Sequence, residues 1–376
     1  MVNKNRLIQL TRQLIKIDSE NPPGDEEAIG RYVKKYLEKL GLKPHVYAFK
    51  KKRLNIVAVL QNKRSQHSLL ITPHLDTVPS GKHWRFPPRQ GRITHGKIYG
   101  LGATDCKGNL ACALEALHSL IEEKISLAYT LLFAATADEE SGSSLGLIPL
   151  LEKGILRPTH ALVLDADNFS IIVCQKGLIH MKVRMLGERA HGAYPWRGKN
   201  AIDAAVAILG TLKRKAVTEA SHKYLRPPTL NVGTIHGGDK VNIVADWCEF
   251  ELDFRFLPGE RADRIIAETR RIIKRFTTHY KIEIQGIQEP YTISEKHPLV
   301  THLTRAFRCV GERPLIKGSE GATVITFFQK RKVPAVATGF GTEGCAHSRD
   351  EYVSIDNLYR GALALEQFLR QYTFKT

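Results

Sequence analysis

Ser68-Leu69-Leu70-Ile71-Thr72-Pro73-His74-Leu75-Asp76 is an apolar run of strand length that stops at a proline and then delivers an imidazole and a carboxylate. The arrangement recurs along the chain. Tyr129-Thr130-Leu131-Leu132-Phe133-Ala134-Ala135-Thr136 leads to Asp138-Glu139-Glu140, and Ala161-Leu162-Val163-Leu164 leads to Asp165. Val333 to Gly339 is followed by a glycine-rich loop that holds His347, and Asp105 lies in another loop. In an open α/β sheet, reacting groups collect beyond the carboxyl ends of the strands. Imidazoles and carboxylates gathered at one sheet edge are the donor set for zinc or a related divalent cation.

Around these runs, apolar spacing predicts helices over 5–17, 25–40 and 108–124, and strands over 55–60 and 68–72. The second helix is opened by Pro22-Pro23-Gly24-Asp25, with Glu26 and Glu27 in its first turn. Alternating strands and helices argue for a sheet covered on both faces. After Lys176-Gly177 the pattern changes to a strand (179–185), a helix (200–212), two strands (229–235, 248–256), a helix (259–278) and a strand (281–287). That β-α-β-β-α-β order suits a compact two-layer insert of ferredoxin-like type. The expected organisation is α/β: residues 1–176 and 290–376 form a discontinuous domain with a mixed central sheet, and 177–289 form an inserted α+β domain.

The 376 residues exceed one ordinary core, and 43% hydrophobic with 25% charged content is typical of a soluble protein. No apolar run approaches the roughly 18 residues of a membrane span. Residues 1–17 alternate Lys and Arg with Leu and Ile and do not resemble a signal peptide, so the cytoplasm is the expected compartment. The six cysteines form no CxxC pair and are expected to be reduced thiols. Net charge is +18, but the basic runs Lys50-Lys51-Lys52-Arg53, Lys213-Arg214-Lys215, Arg270-Arg271 and Lys330-Arg331-Lys332 are short and scattered. Without interleaved aromatics they are expected to form a solvated basic surface, or to attract an anionic substrate, with no nucleic-acid role.

Longer strings sharpen the metal reading. His74-Leu75-Asp76-Thr77-Val78-Pro79, then Tyr99-Gly100-Leu101-Gly102-Ala103-Thr104-Asp105-Cys106-Lys107-Gly108, then Asp138-Glu139-Glu140-Ser141-Gly142-Ser143 occur in order, with Ala346-His347-Ser348-Arg349-Asp350-Glu351-Tyr352 near the end. In this order the strings resemble the M20-type family of dinuclear-metal amidohydrolases and exopeptidases, which includes acetylornithine deacetylase, succinyl-diaminopimelate desuccinylase, aminoacylase-1 and glutamate carboxypeptidase. The resemblance implies a zinc-exopeptidase-like catalytic domain with an inserted lid or dimerisation domain. It also implies two divalent ions, zinc favoured with cobalt or manganese as alternatives.

Carried over residue by residue, Asp105 would bridge the two ions, with His74 and Asp165 on one and Glu140 and His347 on the other. Asp76 would orient His74, and Glu139 would be the general base. Relatives of the deacylase type usually place Glu where this chain has Asp165, and Asp167 is the competing donor. In the insert, Gly187-Glu188-Arg189-Ala190-His191-Gly192-Ala193-Tyr194-Pro195 resembles the motif whose His stabilises the oxyanion, reaching across from the partner subunit of a homodimer. By the same likeness Asn242 and Arg255 would bind the substrate carboxylate. The stretch Gly318-Ser319-Glu320-Gly321-Ala322-Thr323-Val324 lacks the family's usual Asp, and Glu320 is the candidate replacement.

The expected activity is metal-dependent hydrolysis of an amide bond next to a free carboxylate, favouring N-acyl amino acids as a deacylase. A dipeptidase or carboxypeptidase acting on short peptides is the alternative within the family. From another class, the alternative is a binding protein that keeps the scaffold without catalysis.

Overall fold

The computed structural model describes residues 1–216, 221–321 and 323–375. It divides into two compact units. One comprises Met1–Val173, Ile293–Lys317 and Phe327–Thr376; the other comprises Cys174–Thr292 and Gly318–Thr326.

The first unit is organised by a mixed sheet with strands in the order His45–Ala48, Leu54–Leu60, Thr130–Ala135, Ser68–Thr72, His160–Leu164, Ala335–Thr338 and the strand beginning at Ser170. Four neighbours, from Thr130–Ala135 to Ala335–Thr338, run parallel. Their residues are buried almost without alternation, as expected when both faces of a parallel sheet are covered. Val, Ile, Leu and Ala make such runs because no position has to face water. All four strands end on the same edge, which gathers residues far apart in sequence.

A small antiparallel sheet of Arg92–Thr94, Lys97–Tyr99 and Tyr352–Ser354 ties the segment before Asp105 to the segment after His347. The helix Lys107–Glu122 follows Asp105 directly and is buried over most of its length.

The second unit is a four-stranded antiparallel sheet in the order Thr229–Gly237, Trp247–Phe256, Gly177–Leu186, Tyr280–Gln288. Chain order with helices Ala201–Ala216 and Ala262–Ile273 is β-α-β-β-α-β, the ferredoxin-like arrangement. Trp247–Phe256 alternates strictly between buried and half-buried positions. Phe250 and Leu252 pack with Met181, Val183, Ile208 and Ile272 in one core. The helix expected over 259–278 covers only Ala262–Ile273. Gly259 at φ 97° and the Glu260 N–H donating to the Leu257 carbonyl form a turn before it, and residues 274–278 leave the helical path after it.

Candidate metal centre

His74 stands where the strand Ser68–Thr72 ends. A parallel bridge to Thr136, with the Leu75 N–H on the Thr136 carbonyl at 2.8 Å, carries the ladder past Pro73 and fixes its backbone. The ring is 2% exposed. Nδ1 lies 3.0 Å from the carbonyl oxygen of Asp76 and must donate to it, so Nε2 faces outward. Nε2 is 2.9 Å from Asp105 Oδ1 and 3.8 Å from Asp165 Oδ1. The other oxygen of Asp105 lies 3.3 Å from His347 Nε2, which is 3.2 Å from Glu140.

Two donor groups result, His74/Asp105/Asp165 and Asp105/Glu140/His347, each with its ligating atoms within 4.8 Å of one another. Each offers one imidazole nitrogen and two carboxylates, and they share Asp105. That donor chemistry fits a pair of divalent cations bridged by one carboxylate. The competing Asp167 belongs to neither group; its carboxylate is 3.3 Å from Lys317 Nζ.

The carboxylate of Asp76 faces the acid turn. Its oxygens accept the N–H groups of Glu139 and Glu140, each at 3.1 Å, and the Asn21 amide at 2.9 Å, while His74 Nδ1 is 3.6 Å from Oδ1. Glu139 and Glu140 share one short 3-10 turn, Glu139–Ser141, and diverge: Glu140 turns to His347, and Glu139 stays beside the cluster. Burial, together with the charges of Asp165, Asp105 and Glu140, pushes the Glu139 carboxyl well above its usual range. Burial and Asp105 lift Asp165 to about 7. Hydrogen bonds to Asp105 and Glu140 raise His347 to about 10.

Several supporting residues carried no legible signal. Glu351 is buried and accepts the N–H groups of Gly102 (2.8 Å), Thr104 (2.8 Å) and Asp105 (2.9 Å), holding the turn that presents the shared carboxylate. Arg53, the last residue of a run expected to be a solvated surface, is instead 5% exposed, paired with Glu26 and Asp138. Burial could not be read from a run of like charges. Cys106 is buried, its thiol donating to the Leu164 carbonyl at 3.0 Å.

In the second unit, the His191 segment lies along Asn242–Val244: the Gly192 N–H donates to the Asn242 carbonyl at 2.8 Å, and the Val244 N–H to that of Ala190 at 2.9 Å. His191 is exposed, and its Nδ1 accepts from the Ala193 N–H at 3.0 Å, so Nε2 carries a proton in the neutral ring. Arg255 spreads its fork on Asp253 at 2.8 and 3.0 Å. It lies near the far end of Trp247–Phe256, eight residues of strand or about 26 Å from Trp247, whereas Asn242 lies in the loop that precedes the strand. Glu320 is held by Lys176 at 2.6 Å and by the Arg226 N–H at 2.8 Å; its neighbour Ala322 lies outside the described residues.

With this geometry in place, the comparisons define the class. Residues 70–371 match the model of peptidase family M20/M25/M40. An acetylornithine deacetylase of Aliivibrio fischeri is 29% identical over 379 aligned positions, covering 97% of this chain and 96% of the relative. Among solved structures, the aminopeptidase PepT of Bacillus cereus superposes with a TM-score of 0.82 at 23% identity, covering 98% of each chain. A protein of Bacillus subtilis described as a dinuclear metal binding peptidase from the M20 family does so at 0.75 and 16%, covering 98% and 97%. The chain belongs to peptidase family M20/M25/M40. It is a metal-binding hydrolase of amide bonds, and its substrates are small molecules or peptides. Among the described residues no helix is long and apolar enough to cross a membrane.

Proposed function

We propose that the protein removes the acyl group from N-acyl amino acids, cleaving an amide bond beside a free carboxylate. The observation that carries this reading is the pair of His/carboxylate groups sharing Asp105, with Glu139 alongside and not drawn into either. The extended likeness to an acetylornithine deacetylase supports the deacylase over the dipeptidase or carboxypeptidase reading. His74, Asp105 and Asp165 would hold one cation, and Asp105, Glu140 and His347 the other, zinc favoured with cobalt or manganese as alternatives. When bound, the cations supply Lewis acidity toward the scissile carbonyl and toward water.

The remaining chemistry belongs to side chains. Glu139, with its raised pKa, takes a proton from the attacking water and returns it to the leaving nitrogen. Asp76 holds the backbone of that turn. The Nε2–H of His191 donates to the oxyanion. Arg255 presents a planar fork to the substrate carboxylate, and the Asn242 amide adds a neutral donor. Asn242 lies in the loop before the strand Trp247–Phe256 and Arg255 near that strand's far end, so a carboxylate gripped by both would draw them from two copies. This supports a homodimer in which the inserted unit, residues 177–289, serves as lid and dimerisation domain. The six free cysteines, five of them buried, agree with a cytoplasmic location.

The test is Glu139→Gln in zinc-loaded protein, assayed on N-acetyl and N-succinyl amino acids and on dipeptides. Turnover is expected to drop by about 10²- to 10⁴-fold with metal content unchanged. Near-normal turnover in the variant, or a loaded wild type inert on the whole panel, sinks the reading.

A further inference from the structure

Asp138, the residue before the acid pair, is left-handed at φ 66°. A side chain other than glycine holds that conformation where its surroundings over-determine it. Here the surroundings are a buried charge network. The Arg53 fork grips Glu26 through Nε at 2.6 Å and Nη2 at 2.8 Å, and Nη2 also donates to Asp138 Oδ1 at 2.8 Å. Glu26 closes the triangle by accepting the Asp138 N–H at 3.3 Å. The second oxygen of Asp138 takes the Ser144 hydroxyl at 3.0 Å and the Leu145 N–H at 2.9 Å. Gly24, at φ 80°, roofs the guanidinium so closely that a Cβ there would come within 2.3 Å of Nη1.

None of these groups reaches the donor atoms, yet Glu26 and Arg53 both grip Asp138, the residue that leads into the Glu139–Ser141 turn whose first two N–H groups Asp76 accepts. We propose that Glu26, Arg53 and Asp138 form a positioning network for the acid pair. It aims Glu140 at the second cation and keeps Glu139 apart for proton transfer. The inference rests on the roles proposed above for Glu139 and Glu140. Arginine suits the task because one planar fork serves two carboxylates, which a lysine ammonium cannot do in the same geometry.

Arg53→Lys keeps the buried charge and removes the fork. The full-length protein, stripped of metal, is titrated with Co²⁺ at 25 °C by calorimetry and by its d–d absorption, then assayed on an N-acetyl amino acid. The weaker of two Co²⁺ equivalents is expected to lose about 10- to 100-fold in affinity with a changed spectrum, as when an outer partner of a ligand is lost. The tighter equivalent is expected to be unaffected, and kcat to fall with KM changed by less than about twofold. A purely structural tie would lower Tm and leave both Co²⁺ equivalents and kcat as in the wild type; that result overturns the proposal. If Arg53→Lys does not fold, Glu26→Gln/Arg53→Met/Asp138→Asn removes all three charges at similar volume and is read in the same way. Glu139→Gln run in parallel keeps the two readings apart. Loss of the hydrolase assignment would show there and in the wild type, while the Co²⁺ titration still decides the role of Arg53.

Discussion

His74 is 2% exposed, at the end of a parallel strand and flanked by backbone ladder bonds; His347 is 52% exposed, at φ 57° in a loop. Both turn Nε2 to Asp105, one to each oxygen. The buried group takes its third donor from Asp165, whose N–H is anchored on Thr338 at 3.0 Å. The open group takes Glu140 from a single 3-10 turn. One half of the centre is thus built on sheet ends, and the other on a loop and a 3-10 turn, its histidine half-exposed. The contrast suits an enzyme that needs a firmly held ion and also an open side for a substrate to enter.

The contrast is broken most directly by removing each imidazole. His74→Ala takes away the buried, sheet-held imidazole of the half proposed to hold its ion most firmly. It is expected to cut bound zinc from about two equivalents to below one and to abolish measurable turnover. His347→Ala is expected to keep about one equivalent, held by the buried group, with weak residual activity. Metal analysis after gel filtration distinguishes them. Equal losses in the two variants would mean that the halves do not differ.

Acidification sharpens the same contrast. In the metal-free site Asp165 is lifted to about 7 and His347 to about 10, so at neutral pH Asp165 is about half protonated and His347 carries its proton. A cation must displace those protons, so affinity rises with pH and falls as pH falls, by about tenfold per unit for each proton displaced. Burial opposes charging of His74, but the neighbouring Cys106 sulfur and the carboxylates of Asp105 and Asp76 outweigh it and hold its pKa well above the usual histidine value. At half-exposed His347 the two carboxylates lead. Both groups shed protons on binding, so the order of loss is set by how each is held: the half-exposed, loop-borne His347 side is expected to release zinc before the buried His74 side as pH is lowered from about 8 to about 5. Occupancy measured after equilibration at each pH checks this, and a single simultaneous loss of both equivalents contradicts it.

How much of the centre was legible follows from where each residue's information lies. His74, Asp138 to Glu140 and Asp165 follow apolar runs, and parallel strands bring such ends to one edge, so a local pattern sufficed. The β-α-β-β-α-β order of the second unit was equally local. The supports were not. Arg53 is buried because Glu26 and Asp138 lie 27 and 85 residues away, and a run of four basic residues carries no trace of that. The motif around Asn242 and Arg255 named both residues, and the strand expected over 248–256 already set Arg255 near its far end, beyond the loop that holds Asn242. Glu320, the candidate replacement for the family's acid, is paired with Lys176 from a distant stretch that the sequence did not link to it.

Glu351 offers the finest adjustment of the comparison, because it holds Asp105, the one donor that both halves share. Burial lifts its carboxyl to about 7 against the pull of three N–H donors. In Glu351→Gln, Oε1 can still accept from Thr104 and Asp105, while the amide NH₂ meets the Gly102 N–H that Oε2 formerly accepted. The Asp105 turn should loosen without collapsing, and both cation equivalents should weaken by a similar factor, at the low end of about 10- to 100-fold. Glu351→Ala, which removes all three acceptor contacts, should weaken both further. Calorimetric titration of the two variants with zinc decides the point: an effect confined to one equivalent would show that Asp105 does not serve the two halves alike.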